Sequence, residues 1–280
     1  MTFTPPGAAG LRSSGRTRCR SGGRGTNVCH LSELPHWLTR ETRWVTRTAS
    51  IQLGAALIGL LPARRRAPKI DFEADGTSTI LHVVESLGVP RTEIGIIRVG
   101  DRETDRSYVP RPDDRIYISP VARPQPLASE RFVLDVHLGA LVRRMRLLGL
   151  DAVYRNDASD DQLVDRAIAD DRVLLTRDRG ILCRRRLPVG AYVRSDHADE
   201  QLADVLDRFA PTLAPWTRCV ACNGMLEPIE VGEIAHDLMP GTLRTYESFA
   251  RCRCCHRPYW RGAHADRLQA VVDAAVASQS

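Results

Sequence analysis

RFVLDVHLGALVRRMRLLGLDAVYRNDASDDQLVDRAIADDRVLLTRDRGIL, residues 131–182, alternates short apolar runs with helical patterns and ends its apolar runs on acids. Phe132-Val133-Leu134 stops at Asp135, after which Leu138, Leu141, Val142, Met145 and Leu148 recur at helical spacing as far as Gly149, a natural residue just past a helix end. Ala152-Val153-Tyr154 reads as a second strand. Ser159-Asp160-Asp161-Gln162 then carries the Ser-x-x-Gln of a capping box and opens a helix with Leu163, Val164, Ala167 and Ile168. Val173-Leu174-Leu175-Thr176 is a third strand, broken by Arg177-Asp178-Arg179-Gly180. Strands alternating with helices predict an α/β fold on a parallel sheet.

In such a sheet, sites form outside the carboxyl ends of the strands. Asp135 and Asp178 are predicted at two of those ends, and Asp160 and Asp161 in the first turn of a helix that opens there. Taken singly, an aspartate in such a place is a cap or turn residue. Gathered, like charges raise one another's pKa, and a hard divalent cation with oxygen ligands, Mg²⁺ or Mn²⁺, relieves them. Such an ion activates water and stabilises phosphodiester oxyanions. Two other carboxylate chemistries are excluded: Asp135-Val136-His137 lacks the Asp-x-Asp of haloacid-dehalogenase phosphatases, and a receiver domain needs a late lysine where Lys69 is the chain's one lysine.

Residues 131–182, from Leu134 onward, closely resemble the Mut-seven C-terminal RNase family, a branch of the PIN-like nuclease fold. The resemblance implies that Asp135, Asp160 or Asp161, and Asp178 are metal ligands and catalytic residues for RNA hydrolysis. It extends from about Glu41 to Arg267. Leu87-Gly88-Val89-Pro90-Arg91-Thr92-Glu93-Ile94 and Asp113–Val121 resemble the ubiquitin-like β-grasp domain that precedes the nuclease in many members, with a degenerate first hairpin near Arg43–Ala63. From the pattern itself, Ala49–Leu53, Ile70–Phe72, Ile94–Val99 and Arg115–Ile118 read as strands and Thr79–Leu87 as a helix, an α+β module. A binding role is preferred over a sulfur-carrier role, because the module ends at Pro120-Val121 without a free Gly-Gly and runs into another domain; a protein partner is the expected use.

Near the other end, Cys219-Val220-Ala221-Cys222 and Cys252-Arg253-Cys254-Cys255 form two Cys-x-x-Cys knuckles 29 residues apart. Four thiolates close a tetrahedral structural Zn²⁺ site, so Cys219, Cys222, Cys252 and Cys255 are the expected ligands, with Cys254 or His256 as substitutes in a shifted site. The tail Arg251–Arg267 resembles the family's zinc ribbon.

The chain has 280 residues, 43% hydrophobic, with a formal net charge of +6. Residues 1–40 hold six arginines against one glutamate, whereas 131–182 hold nine arginines and nine aspartates, so any RNA binding must come from local patches. Arg177, Arg179, Arg184, Arg185 and Arg186 beside Asp178 are candidates to grip phosphate, Arg146 to steady the scissile phosphate or the carboxylates, and Trp260 and Arg261 to stack on or grip bases. Asp196 and Asp199 are read as helix-start acids, with a place as an additional metal-site acid, of which PIN-like sites often have four, as the alternative for either. Arginine in place of lysine fits a GC-rich, bacterial genome. Eight cysteines without a signal-peptide core point to a reducing, cytoplasmic setting and to metal ligation, and no stretch reaches a membrane span.

The expected layout is a disordered basic segment or over-extended start at 1–40, a ubiquitin-like β-grasp domain at 41–121, a linker at 122–130, a PIN-like RNase domain at 131–212, a zinc ribbon at 216–268 and a tail at 269–280. The expected function is Mg²⁺- or Mn²⁺-dependent ribonuclease, the alternative a non-catalytic RNA-binding or adaptor protein.

Overall fold

The computed structural model describes residues 47–235, 238–262 and 265–278; the expected basic segment 1–40, with Cys19, Cys29 and His30, lies outside them. The first part is built from β1 (Thr48–Leu53), α1 (Ala55–Ile58), β2 (Lys69–Glu73), α2 (Ile80–Leu87), β3 (Ile94–Val99), β4 (Arg102–Thr104) and β5 (Arg115–Pro120). Its sheet runs β2-β1-β5-β3-β4, with β1 and β5 parallel and the other pairs antiparallel. Alternation sends Ile51, Leu53, Ile116 and Ile118 to one face, where Ile80, Val84 and Leu87 of α2 cover them. Thr79 caps the start of α2, accepting from the His82 amide, and Gly88 ends it at φ +100°.

The first hairpin, degenerate in sequence, nonetheless forms. β1 and β2 pair in full register, Ile51 opposite Ile70, but residues 54–68 between them fold into α1 and a 3₁₀ turn at Ala63–Arg65. Leu57, Leu60 and Leu61 of this connection are sealed under the sheet. A connection that contributes core residues has no tight-turn signature to read.

The second part follows the predicted alternation: β6 (Arg131–Leu134), α3 (Gly139–Leu147), β7 (Asp151–Tyr154), α4 (Asp160–Ala169), β8 (Val173–Thr176), α5 (Arg179–Leu182), β9 (Gly190–Tyr192) and α6 (Ala198–Phe209). All strands are parallel, in the order β7-β6-β8-β9. Buried on both faces, they read as continuous apolar runs. Phe132 and Leu134 pack with α3 and α6 on one side, Val133 and Leu174 with α4 and α5 on the other. The Ser159–Gln162 capping box forms as read. Gly149 adopts φ +83°, and a Cβ there would meet the Ala214 carbonyl at 2.0 Å, so the residue is fixed both by conformation and by close approach. Chain reversal from β6 to β7 on one side and to β8 on the other leaves a crevice at the carboxyl ends of β6 and β8.

The stretch at 122–130 is pinned: Arg123 pairs with Asp204 and Asp207 on α6, the Gln125 amide donates to the Arg208 carbonyl, and Leu127 packs on the core.

The third part comprises β10 (Leu226–Ile229), α7 (Val231–Ile234), α8 (Pro240–Thr245), β11 (Phe249–Cys252), β12 (Pro258–Trp260) and α9 (Ala265–Ala277). The three strands form an antiparallel sheet in the order β10-β11-β12. In place of a tail at 269–280, α9 runs through Ala277 and buries Val272 and Ala275 against the parallel-sheet core, an apolar stripe too short to stand out by period. No helix among the described residues is long and apolar enough to cross a membrane.

Candidate active-site edge and cysteine centre

Two groups of side chains carry chemistry. The first lies at the crevice. Register places Leu134 opposite Leu175, so Asp135, 5% exposed, follows β6 beside the end of β8. Its Oδ1 accepts from the Val136 amide at 2.6 Å and its Oδ2 from the Thr176 hydroxyl at 2.6 Å. The same hydroxyl accepts from the Asp178 amide at 2.8 Å, while Asp178 Oδ1 takes the Gly180 amide at 2.6 Å and caps α5. One buried threonine thus fixes the side chain of one acid and the backbone of the other. Thr176 was legible in sequence as the end of a strand; its hydroxyl role was not. Around Asp178 a cleft is lined by Pro62, Gly88, His137, Arg177, Arg179 and Cys183.

The other acids are held differently. Asp160 and Asp161 sit in the exposed first turn of α4, where both pair with Arg184 across from α5. Among the described residues, their carboxylates do not gather with those of Asp135 and Asp178 into a tight metal cluster. Asp196 pairs with Arg177, and Asp199 with Arg144 of α3. Of the arginines expected to grip phosphate, Arg177 and Arg184 face carboxylates, Arg186 pairs with Asp165, and Arg179 donates to the Leu60 carbonyl.

Arg146 requires a correction. It is 4% exposed, and its guanidinium donates to the Ala152 carbonyl at 2.8 Å and to Val220 and Ala221 carbonyls at 3.2 and 2.7 Å. It ties β7 to the first cysteine knuckle, and burial there turns its bonded nitrogens to the protein interior, away from a phosphate in the cleft. Arg146→Ala should therefore lower unfolding free energy by about 2–3 kcal/mol, the scale of charged hydrogen bonds lost from a buried site, with RNA affinity of the folded protein unchanged. Denaturant titration and an anisotropy measurement would check both halves. Trp260 is half-exposed on β12, and the Arg261 guanidinium lies 5.2 Å over the Trp216 ring.

The second group is the cysteine centre. The Sγ atoms of Cys219, Cys222, Cys252 and Cys255 all lie within 4.8 Å of one another, with 3.6 Å between Cys219 and Cys255 and 3.4 Å between Cys222 and Cys252. A disulfide needs about 2 Å. Tetrahedral zinc with Zn–S bonds of about 2.3 Å needs sulfurs roughly 3.8 Å apart, so this donor set fits a metal such as zinc. Burial opposes ionisation of Cys219, but the Tyr259 hydroxyl at 2.9 Å and the amides of Cys222 and Ala221 bring its pKa down to about 6. Burial and the neighbouring thiols push Cys222 up. Gly224 lets the chain pass: a Cβ would meet Cys252 Sγ at 2.8 Å. Cys254 is exposed and stands outside the set.

The first knuckle is bolted to the parallel sheet. Asn223, at φ +73°, accepts from the Ala152 amide at 3.1 Å and donates to Asp151 Oδ1 at 2.8 Å, which also takes Arg172 at 2.7 Å. Burial raises the Asp151 pKa, but Arg172 and Asn223 more than offset it, and the net shift is downward.

Among comparisons with known proteins, the family model described as Mut7-C ubiquitin matches residues 46–126, and that described as Mut7-C RNAse domain matches residues 130–272. No curated protein and no solved structure matches the chain. The first match covers the sheet with parallel β1 and β5, and the second covers the four-stranded parallel sheet, the acids at its edge and the cysteine centre. With the second match spanning just over half of its length, this chain belongs to the Mut7-C RNAse domain family.

Proposed function

We propose that the protein is a Mg²⁺- or Mn²⁺-dependent ribonuclease in which Asp135 and Asp178 hold the ion. The observation that carries this reading is that these two acids end neighbouring parallel strands at the crevice and share the Thr176 hydroxyl. Mg²⁺ commonly binds through one or two carboxylates and keeps several waters, so two acids suffice, and Asp160 or Asp161 joins them on leaving Arg184. When bound, the ion lowers the pKa of an attacking water and neutralises charge on the phosphodiester. The chain itself orients the acids through Thr176 and the Gly180 amide; Arg177 and Arg184 exchange their present partners for substrate phosphate, while Arg179 keeps the Leu60 carbonyl on one nitrogen and offers its remaining donors. The cysteine centre takes one structural Zn²⁺, Trp260 and Arg261 extend the RNA surface, and the ubiquitin-like sheet receives a protein partner. We assign 46–121 to the ubiquitin-like module, 122–130 to its linker, 131–212 to the nuclease and 216–268 to the zinc ribbon.

Changing both Asp135 and Asp178 to Asn should slow cleavage of labelled single-stranded RNA about a hundredfold or more, the loss of several kcal/mol of charge stabilisation. RNA binding should hold or tighten as negative charge leaves the cleft. A cleavage rate unchanged by the substitutions, at saturating Mn²⁺, would sink the assignment. One observation favours a second reading, a non-catalytic RNA-binding protein: Arg184 already neutralises Asp160 and Asp161. That reading expects wild type and variant to bind RNA alike and to leave it uncut.

A further inference from the structure

We propose that the β1–β2 connection of the ubiquitin-like module forms a second wall of the nuclease site, with Arg64, Arg65 and Arg66 gripping the phosphates of single-stranded RNA that runs out of the cleft. The proposal rests on the ribonuclease reading and adds to it a substrate-binding surface from the other module.

The wall is fixed in place from both sides. Leu57, Leu60 and Leu61 anchor it in the core beneath β1 and β5. Across the module boundary, Arg179 donates to the Leu60 carbonyl and Arg194 to the Ala56 carbonyl at 3.4 Å. Pro62, immediately before the arginine turn, lines the cleft together with Asp178 and His137. A strand leaving Asp178 on that side therefore meets the turn at Ala63–Arg65 next.

The three arginines also differ from those nearer the acids. All are exposed. None pairs with a carboxylate among the described residues: Arg65 makes one long bond to the Ser86 carbonyl at 3.4 Å, Arg66 one to the Leu61 carbonyl at 3.3 Å, and Arg64 none. Each guanidinium carries five N–H donors, so most of this capacity faces solvent. Three adjacent cations on a rigid turn, flanked by Ala63, Ala67 and Pro68, offer no aromatic anchor for a protein interface. Phosphate needs nothing beyond charge and donors, and its binding releases counterions.

The experiment is anisotropy of a labelled oligouridine long enough to leave the cleft, measured across salt concentration without added Mg²⁺ or Mn²⁺, on the full chain and on Arg64→Gln/Arg65→Gln/Arg66→Gln. Loss of three phosphate contacts should reduce the slope of log affinity against log salt by about 2 and weaken binding at least tenfold at low salt. With Mn²⁺, KM for the oligouridine should rise with kcat kept, while a dinucleotide confined to the cleft is cut alike by both proteins. Equal slopes and affinities would overturn the wall and leave the ribonuclease reading standing. A wild-type chain that neither binds nor cuts RNA would overturn both. Polyglutamate displacing RNA as well as unlabelled oligouridine does would overturn the assignment to nucleic acid.

Discussion

Stripping the cysteine centre with a strong chelator, or replacing Cys219 and Cys222 together by Ser, is expected to unfold the segment around β10–β12 and to expose it to protease, while freshly purified wild type carries about one Zn²⁺ per chain. Structural zinc contributes on the order of 10 kcal/mol at neutral pH, more than so small a sheet gains from its own core. Few apolar side chains there are buried, Ile234 and Phe249 among them, whereas four sulfurs converge. The damage should spread, because Asn223 of the knuckle bonds β7 and Arg146 of α3 bonds both the knuckle and β7. Acid should act in the same direction: ligation requires thiolates, so protons compete with the metal as pH falls. Limited proteolysis with and without chelator, read alongside metal analysis, tests this, and an identical digestion pattern would refute a structural metal.

The second large effect is expected from Glu93→Ala, which should destabilise the protein by about 3–5 kcal/mol and lower its melting temperature on the order of 10 °C. Glu93, 1% exposed, accepts both bonds from Arg208 Nη1, at 2.8 and 2.9 Å, and takes the Tyr192 amide at 2.9 Å. Arg208, also 1% exposed, donates further to the Thr92 and Gly190 carbonyls. Burial pulls the Arg208 pKa down, and the Glu93 carboxylate holds it up. Removing the acid leaves a buried cation bonded directly only to neutral oxygens, those of Thr92, Gly190 and Gln125. A double replacement, Glu93→Leu with Arg208→Met, should recover more than half of the loss, since a well-packed apolar pair can match a buried ion pair. Thermal unfolding of the two variants decides it; a cost under about 1 kcal/mol for Glu93→Ala would show that the pair is not the clamp between the modules.

The parallel sheet was legible because each element carried its own signal: Phe132–Leu134 and Val173–Thr176 are apolar on both faces, Ser159–Gln162 is a capping box, and Gly149 stops a helix. The β1–β2 connection and α9 were not, since Leu57, Leu60, Val272 and Ala275 find their cores only through long-range packing. Sequence placed Asp135 and Asp178 at strand ends, but it could not say which acids would meet arginines, so the pairing of Asp160 and Asp161 with Arg184 and the burial of Arg146 emerged from the structure alone. Cys219, Cys222, Cys252 and Cys255 were legible because their spacing is itself the chemistry. The Glu93–Arg208 pair, 115 residues apart, left no local trace.

That separation also orders events in time. Domains form as the ribosome delivers them, amino-terminal first. The ubiquitin-like sheet is complete at β5, yet the partner of its Glu93 is carried on α6, the last helix of the parallel-sheet domain. Until α6 emerges, the nascent module must keep Glu93 hydrated, and only the finished nuclease domain can dehydrate it. Docking of the two modules thus reports that the parallel-sheet domain has been built.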